Sequence, residues 1–401
     1  MELTAEEKAM LAGDLGPGVA RAMEIIVALG RIYDAEHLVP VSSVQVAGVS
    51  YRNLGEAGLA FLREWADQGA KARVPTTLNP AGIDLQAWRE LGFSETFARR
   101  QALVIEAYQR LGVRPTCTCA PYLIGNQPGL GEHVAWAESS AVSYANSVLG
   151  ARTNREGGPS AMAAAIAGRT AAYGLHLDRA RRASLKVEVN CSVDSWSDFG
   201  ALGYLVGKRA RNRIPYFAGL EACTEADLKA LGAAMAASGA VALYHVARVT
   251  PEADRPGILV PEHETFVVND LAPAYAALND DAREVDLVWF GCPHASLAEL
   301  ERMARLLDGR HLTSDLWITT ARETREAAAR EGVVRAIELS GGRVLADMCV
   351  VVAPMHELDY HTLATPSAKG AAYCPSHAGL VVRYGSVEQC IEAAVTGVWP
   401  D

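Results

Sequence analysis

EVDLVWFGCPHASLAELERMARLLDG, Glu284 to Gly309, runs an apolar strand-like segment into a Gly-Cys-Pro-His turn and then into an amphipathic helix. The helix opens with Ser296 and Glu299 in capping-box register, where each side chain satisfies a backbone N–H that the first helical turn leaves free. The same order recurs downstream. LTSDLWITT (312–320) precedes the helix-like ARETREAAAREG (321–332), and GGRVLADMCVVVAP (341–354) reads as another strand with Cys349 inside it. Repeated strand–helix alternation predicts an α/β protein with a substantially parallel sheet. Cys292 falls where strand gives way to helix. A thiol at a helix N-terminus has a lowered pKa, so Cys292 is expected to ionise readily as a nucleophile or metal ligand.

A second stretch concentrates polar chemistry: CTCAPYLIGNQPGLGEHVAWAESSAVSYANSVLGARTNREGG, Cys117 to Gly158. Glu132, Trp136, Ser140, Ser143 and Ser147 recur every three or four residues, which predicts one polar stripe on an otherwise buried helix facing a cavity. Arg152, Asn154 and Arg155 follow, ahead of a Gly-Gly-Pro-Ser turn that opens another helix. Guanidinium groups near a helix N-terminus suit a carboxylate or phosphate. Upstream, KARVPTTLNP (71–80) reads as a short strand ending in a polar turn. Thr76, Thr77 and Asn79 would then sit at the carboxyl end of a strand, where open α/β sheets bind ligands. The alternative is that they cap a following helix, GIDLQAWRELG (82–92).

The rest of the chain sets bounds. Its 401 residues can bury a large core, and a net charge of −10 argues against a general nucleic-acid or anionic-membrane surface. No run reaches the roughly 20 apolar residues of a membrane span, and the acidic N-terminus lacks a signal core. Eight cysteines are too few for a disulfide scaffold in a chain this long, which points to a reducing, cytoplasmic compartment. Thr4 and Glu7 form a capping box, GDLGPG (13–18) suits a turn between two helices, and His245 reads as either functional or a satisfied core histidine. A free cysteine is commonly a small buried hydrophobe. Cys117 and Cys119 lack the second close pair of the usual zinc spacing, while iron–sulfur ligation by widely separated cysteines stays open. Residue chemistry alone therefore reaches a metal or cluster site with an anion clamp, and no named reaction.

LAGDLGPG, VPTTLNP, CTCAPYL, GEHVAWAESSAVSYANSVLGARTNREGG, ALGAAMAASGAVALYHVARVTPEA, GCPHASLAEL, the Asp347–Cys349 segment and SAKGAAY occur in this order. From about Gly13 to Cys390 the chain thereby resembles the large, catalytic part of aconitase X. Asp14 stands where the family often has Glu, and Cys374 after SAKGAAY is a departure that keeps it in reserve as a ligand.

The resemblance implies an aconitase-like three-domain α/β core with parallel or mixed sheets flanked by helices. Residues 1–401 would form the catalytic region, with the swivelling domain on a separate small subunit. It implies a dehydratase with an iron–sulfur cluster, whether 2Fe-2S, 3Fe-4S or 4Fe-4S, held by Cys119, Cys292 and Cys349. Cys119 is preferred to Cys117 because TCxPY is the more constant element of the family pattern.

Two hydroxy-acid substrates are known in the family, cis-3-hydroxy-L-proline (giving Δ1-pyrroline-2-carboxylate) and mevalonate 5-phosphate. The Ala-, Arg- and Gly-rich composition looks like that of a GC-rich bacterium and favours hydroxyproline by association, since the phosphomevalonate reaction belongs mainly to archaea. The expected mechanism is Lewis-acid elimination, with a base removing the proton beside the carboxylate. Arg152 or Arg155 would hold that carboxylate beside Asn154. Thr76, Thr77, Asn79 and Ser139 would line the pocket, with Lys369 and Ser147 as catalytic groups. A cluster-binding RNA regulator is the competing class, and the acidic balance counts against it.

Overall fold

The structure is a computed structural model and describes residues 1–220 and 222–400. Three parallel sheets organise it. In the first, Val44–Val46 lies between Thr76–Leu78 and Ala135–Trp136. In the second, Ala183–Val189 lies between Leu259–Val268 and Pro215–Ala218, with His245–Val246 beyond. The third has the order Arg343–Ala346, Asp315–Thr320, Leu287–Ala295, Thr362–Thr365, Val381–Tyr384. An antiparallel pair, Leu38–Pro40 with Arg169–Ala171, is added to the first unit. The parallel α/β architecture expected from strand–helix alternation is the one observed.

Burial explains the third sheet. Val288, Phe290, Leu316, Ile318 and Val344 are buried under the helix Leu297–Leu307 and its neighbours. Each such apolar side chain stabilises the fold by about 1.5–3 kcal/mol. On the opposite face, Leu287, Trp289, Trp317 and Leu345 join a core shared with the second sheet and with Phe93 and Phe97. The expected capping box is present, Glu299 N donating to Ser296 Oγ (3.2 Å) and Ser296 N to Glu299 Oε2 (2.7 Å).

Four local expectations fail. Residues 132–147 are not one helix: Ala135–Trp136 is a strand on Val44–Gln45, Glu138 is the N-cap, and the helix is Ser139–Ser147. Trp136, expected on the polar stripe, is fully buried, its Nε1 donating to Ser43 Oγ (3.2 Å). Residues 82–92, a helix in the alternative reading, form turns, because the Asp84 carboxylate accepts from Gln86 N and Ala87 N and also from Ala346 N of the third sheet. Cys349 is not in a strand, since Arg343–Ala346 ends before it and Asp347 takes a left-handed φ of 66°. Cys292 does not begin a helix, because its strand continues to Ala295.

Candidate active site

The first and third sheets meet near the carboxyl ends of their strands, the edge where open parallel sheets place ligands. Ala81 makes the join. Its N donates to Asp347 O (2.7 Å), and its carbonyl accepts from Cys349 N (3.3 Å). Arg322 adds a second tie, pairing with Asp84 (2.9 Å) and Asp347. Asn79 follows Thr76–Leu78 and Glu138 follows Ala135–Trp136; Cys349 follows Arg343–Ala346 and Lys369 follows Thr362–Thr365. Cys119 comes from the loop whose Thr118 N donates to Leu78 O (2.9 Å).

These side chains converge. Lys369 forms an ion pair with Glu138 and donates to Ser140 Oγ (3.1 Å) and Ser139 Oγ (3.5 Å). Asn79 Nδ2 donates to the other Glu138 oxygen (2.8 Å), while Asn79 Oδ1 is buried without a protein partner. Burial works against the Glu138 charge, but the Lys369 ammonium and the Asn79 amide outweigh it and bring the carboxyl down to about 2. Burial also disfavours the Lys369 charge, and Glu138 beside it reverses the balance, holding the ammonium well above the usual lysine range.

The thiols are pushed the opposite way from the sequence expectation. Burial raises Cys292 despite the Lys369 ammonium and Ser367 hydroxyl, which favour its anion. Burial likewise raises Cys119, to about 12, and Cys349. A cationic partner is needed to ionise them. Cys119, Cys292 and Cys349 lie within electrostatic range of one another, whereas the charges of Asp347 and Arg322 act on Cys117. Among the described residues no three His, Cys, Asp or Glu side chains converge as one metal ion requires. A multi-iron cluster separates its thiolates more widely, so three thiols in mutual electrostatic range, Cys119 buried and Cys292 and Cys349 half-buried, fit that group chemically. Cys374, also buried, lies within range of Cys292.

The remaining sequence candidates go elsewhere. Thr76 and Thr77 line a polar cavity of about 370 Å³ with Ser42, Ser43, Arg114 and Glu132, and none of the three thiols borders it. Ser147 is at the far end of its helix, where its Oγ accepts from Tyr244 N (2.9 Å). Arg152 is committed to His176 O (2.9 Å) and Asp178, and Asn154 to Tyr173 O (3.0 Å) and Leu175 N (2.8 Å). Arg155 is exposed. Arg152 and Asn154 are therefore engaged in loop structure, while Arg155 is left at the surface. His245 is a core histidine whose Nε2 meets Arg181 O (2.8 Å).

Glu138 and His294 are two site residues to which no motif in the sequence assigns a role. Glu138 had one available signal, its place as acidic N-cap of the SSAVS helix.

Domain models of one family cover this framework in order: aconitase X first domain at residues 1–179, second at 183–275 and third at 285–396. The chain belongs to the aconitase X family. It is an enzyme of the dehydratase class. This aconitase X is 52% identical to the phosphomevalonate dehydratase large subunit of Methanothermobacter thermautotrophicus, over 94% of this chain and 95% of that one. It is 36% identical to the cis-3-hydroxy-L-proline dehydratase of Hypocrea jecorina, over 99% of this chain but 69% of that protein. Among solved structures, Thermococcus kodakaraensis aconitase X in its holo-form matches with a TM-score of 0.92 at 46% identity, covering 98% of this chain and all of that one. No helix among the described residues is long and apolar enough to cross a membrane.

Proposed function

We propose that this aconitase X is the large subunit of a mevalonate 5-phosphate dehydratase. It would act with a small swivelling subunit and an iron–sulfur cluster on Cys119, Cys292 and Cys349. One observation carries the substrate choice: 52% identity spanning 95% of a phosphomevalonate dehydratase large subunit, against 36% identity spanning 69% of a hydroxyproline dehydratase. That pattern outweighs the composition argument for cis-3-hydroxy-L-proline and supports a two-chain enzyme.

The reaction takes the C3 hydroxyl and one C2 proton from the substrate, leaving a C2=C3 double bond conjugated to the carboxylate, plus water. When bound, the cluster supplies Lewis acidity toward the departing hydroxyl. The Glu138 carboxylate favours the ammonium form of Lys369, which suits it to hold an anion in preference to accepting a proton. Its fixed charge beside the thiols suits the substrate carboxylate. Glu138 is a weak base while paired with Lys369. A substrate carboxylate that competes for Lys369 removes part of that pairing, and burial then raises the proton affinity of Glu138. Glu138 is thereby the candidate acceptor of the C2 proton, with Asn79 fixing its orientation.

Anaerobic incubation of the two-subunit enzyme with mevalonate 5-phosphate in deuterated water tests this. A conjugated product and deuterium at C2 of recovered substrate are expected. Neither change at full iron and sulfide content would reject it.

A further inference from the structure

We infer that His294 is a positioning residue that assembles the three thiol-bearing segments before any cluster is bound, an inference that rests on the cluster reading above. His294 is fully buried, two residues beyond Cys292. Its Nε2 lies 2.8 Å from Met348 O. A carbonyl only accepts, so Nε2 carries the ring proton and Nδ1 presents a lone pair. Thr118 Oγ1, 3.0 Å from Nδ1, therefore donates to it, and the same hydroxyl accepts from Ala120 N (3.1 Å). The backbone N of His294 donates to Cys119 Sγ (3.2 Å).

The resulting chain of bonds has one direction. It runs from Ala120 N–H to the Thr118 hydroxyl, through the His294 ring, to the Met348 carbonyl. Thr118 and Ala120 flank Cys119, Met348 precedes Cys349, and His294 shares a strand with Cys292. One imidazole thus joins three segments that the sequence separates by 176 and 54 residues. Both ring nitrogens are occupied, so the ring has no free site for catalysis, and its geometry serves the thiols. Partners of this kind behind metal ligands hold the ligands in place, and losing one costs about 10–100-fold in metal affinity.

The test uses the full chain as His294→Leu, His294→Gln and Thr118→Val beside the wild type. Hydrogen exchange of the cluster-free proteins is followed at 117–120, 291–295 and 346–350. Iron and sulfide content, the reduced-cluster resonance signal and release to a chelator are measured after reconstitution. His294→Leu should speed exchange in all three segments together and cluster release by about tenfold or more. His294→Gln, whose amide can donate to Met348 O and accept from Thr118, should recover most of both. Exchange raised only around residue 294, or release at the wild-type rate, overturns the inference. Should His294→Leu not fold, the near-isosteric Thr118→Val decides by the same readouts, and wild-type exchange at 346–350 counts against it. If wild type itself takes up no iron and sulfide, the cluster reading fails, while the exchange data still decide the role of His294.

Discussion

Lys369 and Glu138, separated by 231 residues, form an ion pair inside the protein, at the junction of the first and third sheets. Each side chain leaves the carboxyl end of a different sheet, so the pair exists only when the two units are docked. It sits beside the thiols and is the centre of the proposed chemistry.

Replacing one partner separates the roles. Glu138→Gln should lower kcat by about 10²-fold or more, as loss of a general base does, with KM changed much less. Lys369→Met should raise KM and cost about 3–5 kcal/mol of stability, because it strands a buried carboxylate. Steady-state kinetics and urea unfolding report both. The double variant should regain much of the lost stability, and equal losses in single and double variants would contradict the pairing argument.

Gly291→Ala should misplace Cys292. At φ 98° a Cβ would stand 2.0 Å from Thr319 O, so the strand must move. The backbone conformation alone costs a non-glycine residue about 1–3 kcal/mol. Urea midpoints should fall, and iron content after reconstitution should fall with them.

Arg322→Met should loosen the same junction. Asp84 and Asp347 are both buried and share this guanidinium, so its removal leaves two carboxylates uncompensated. A loss of about 3–5 kcal/mol is expected. Asp84→Asn in the same background should recover part of it in urea melts.

Acid should weaken the fold through His176. The ring is buried, its Nδ1 is 2.9 Å from His133 Nδ1, and its Nε2 has no partner. Burial, then His133, Arg181 and Arg152, push it down from 6.5 to about 3. The unfolded chain therefore takes up a proton below pH 6.5 that the folded chain refuses until about pH 3. Stability should fall with pH across that window, by up to about 1.4 kcal/mol per unit from this group. His176→Gln should flatten the dependence, and parallel urea-midpoint curves for the two proteins would exclude it.

Much of this was legible in sequence. Capping at Ser296 and strand–helix alternation depend on local pattern, which a linear reading registers, whereas Cys119, Cys292 and Cys349 are proposed as ligands through the family resemblance and the structure places them in mutual electrostatic range. His294 was not legible and Glu138 was legible only as a helix cap, because their roles arise from partners 176 and 231 residues away. Arg152 and Asn154 misled for the converse reason. Their side-chain chemistry suits an anion, but the backbone of residues 173–176 and the Asp178 carboxylate claim it. The Glu132–Ser147 stripe failed because pairing to Val44–Gln45 imposed a strand on a helical spacing.

The most direct measurement compares kcat/KM for mevalonate 5-phosphate and cis-3-hydroxy-L-proline in one anaerobic preparation of this chain with its small subunit, with iron and sulfide counted. Efficient dehydration of mevalonate 5-phosphate is expected, with its loss in Cys292→Ala and negligible turnover of hydroxyproline. Turnover of cis-3-hydroxy-L-proline by a cluster-loaded enzyme that leaves mevalonate 5-phosphate untouched would contradict it.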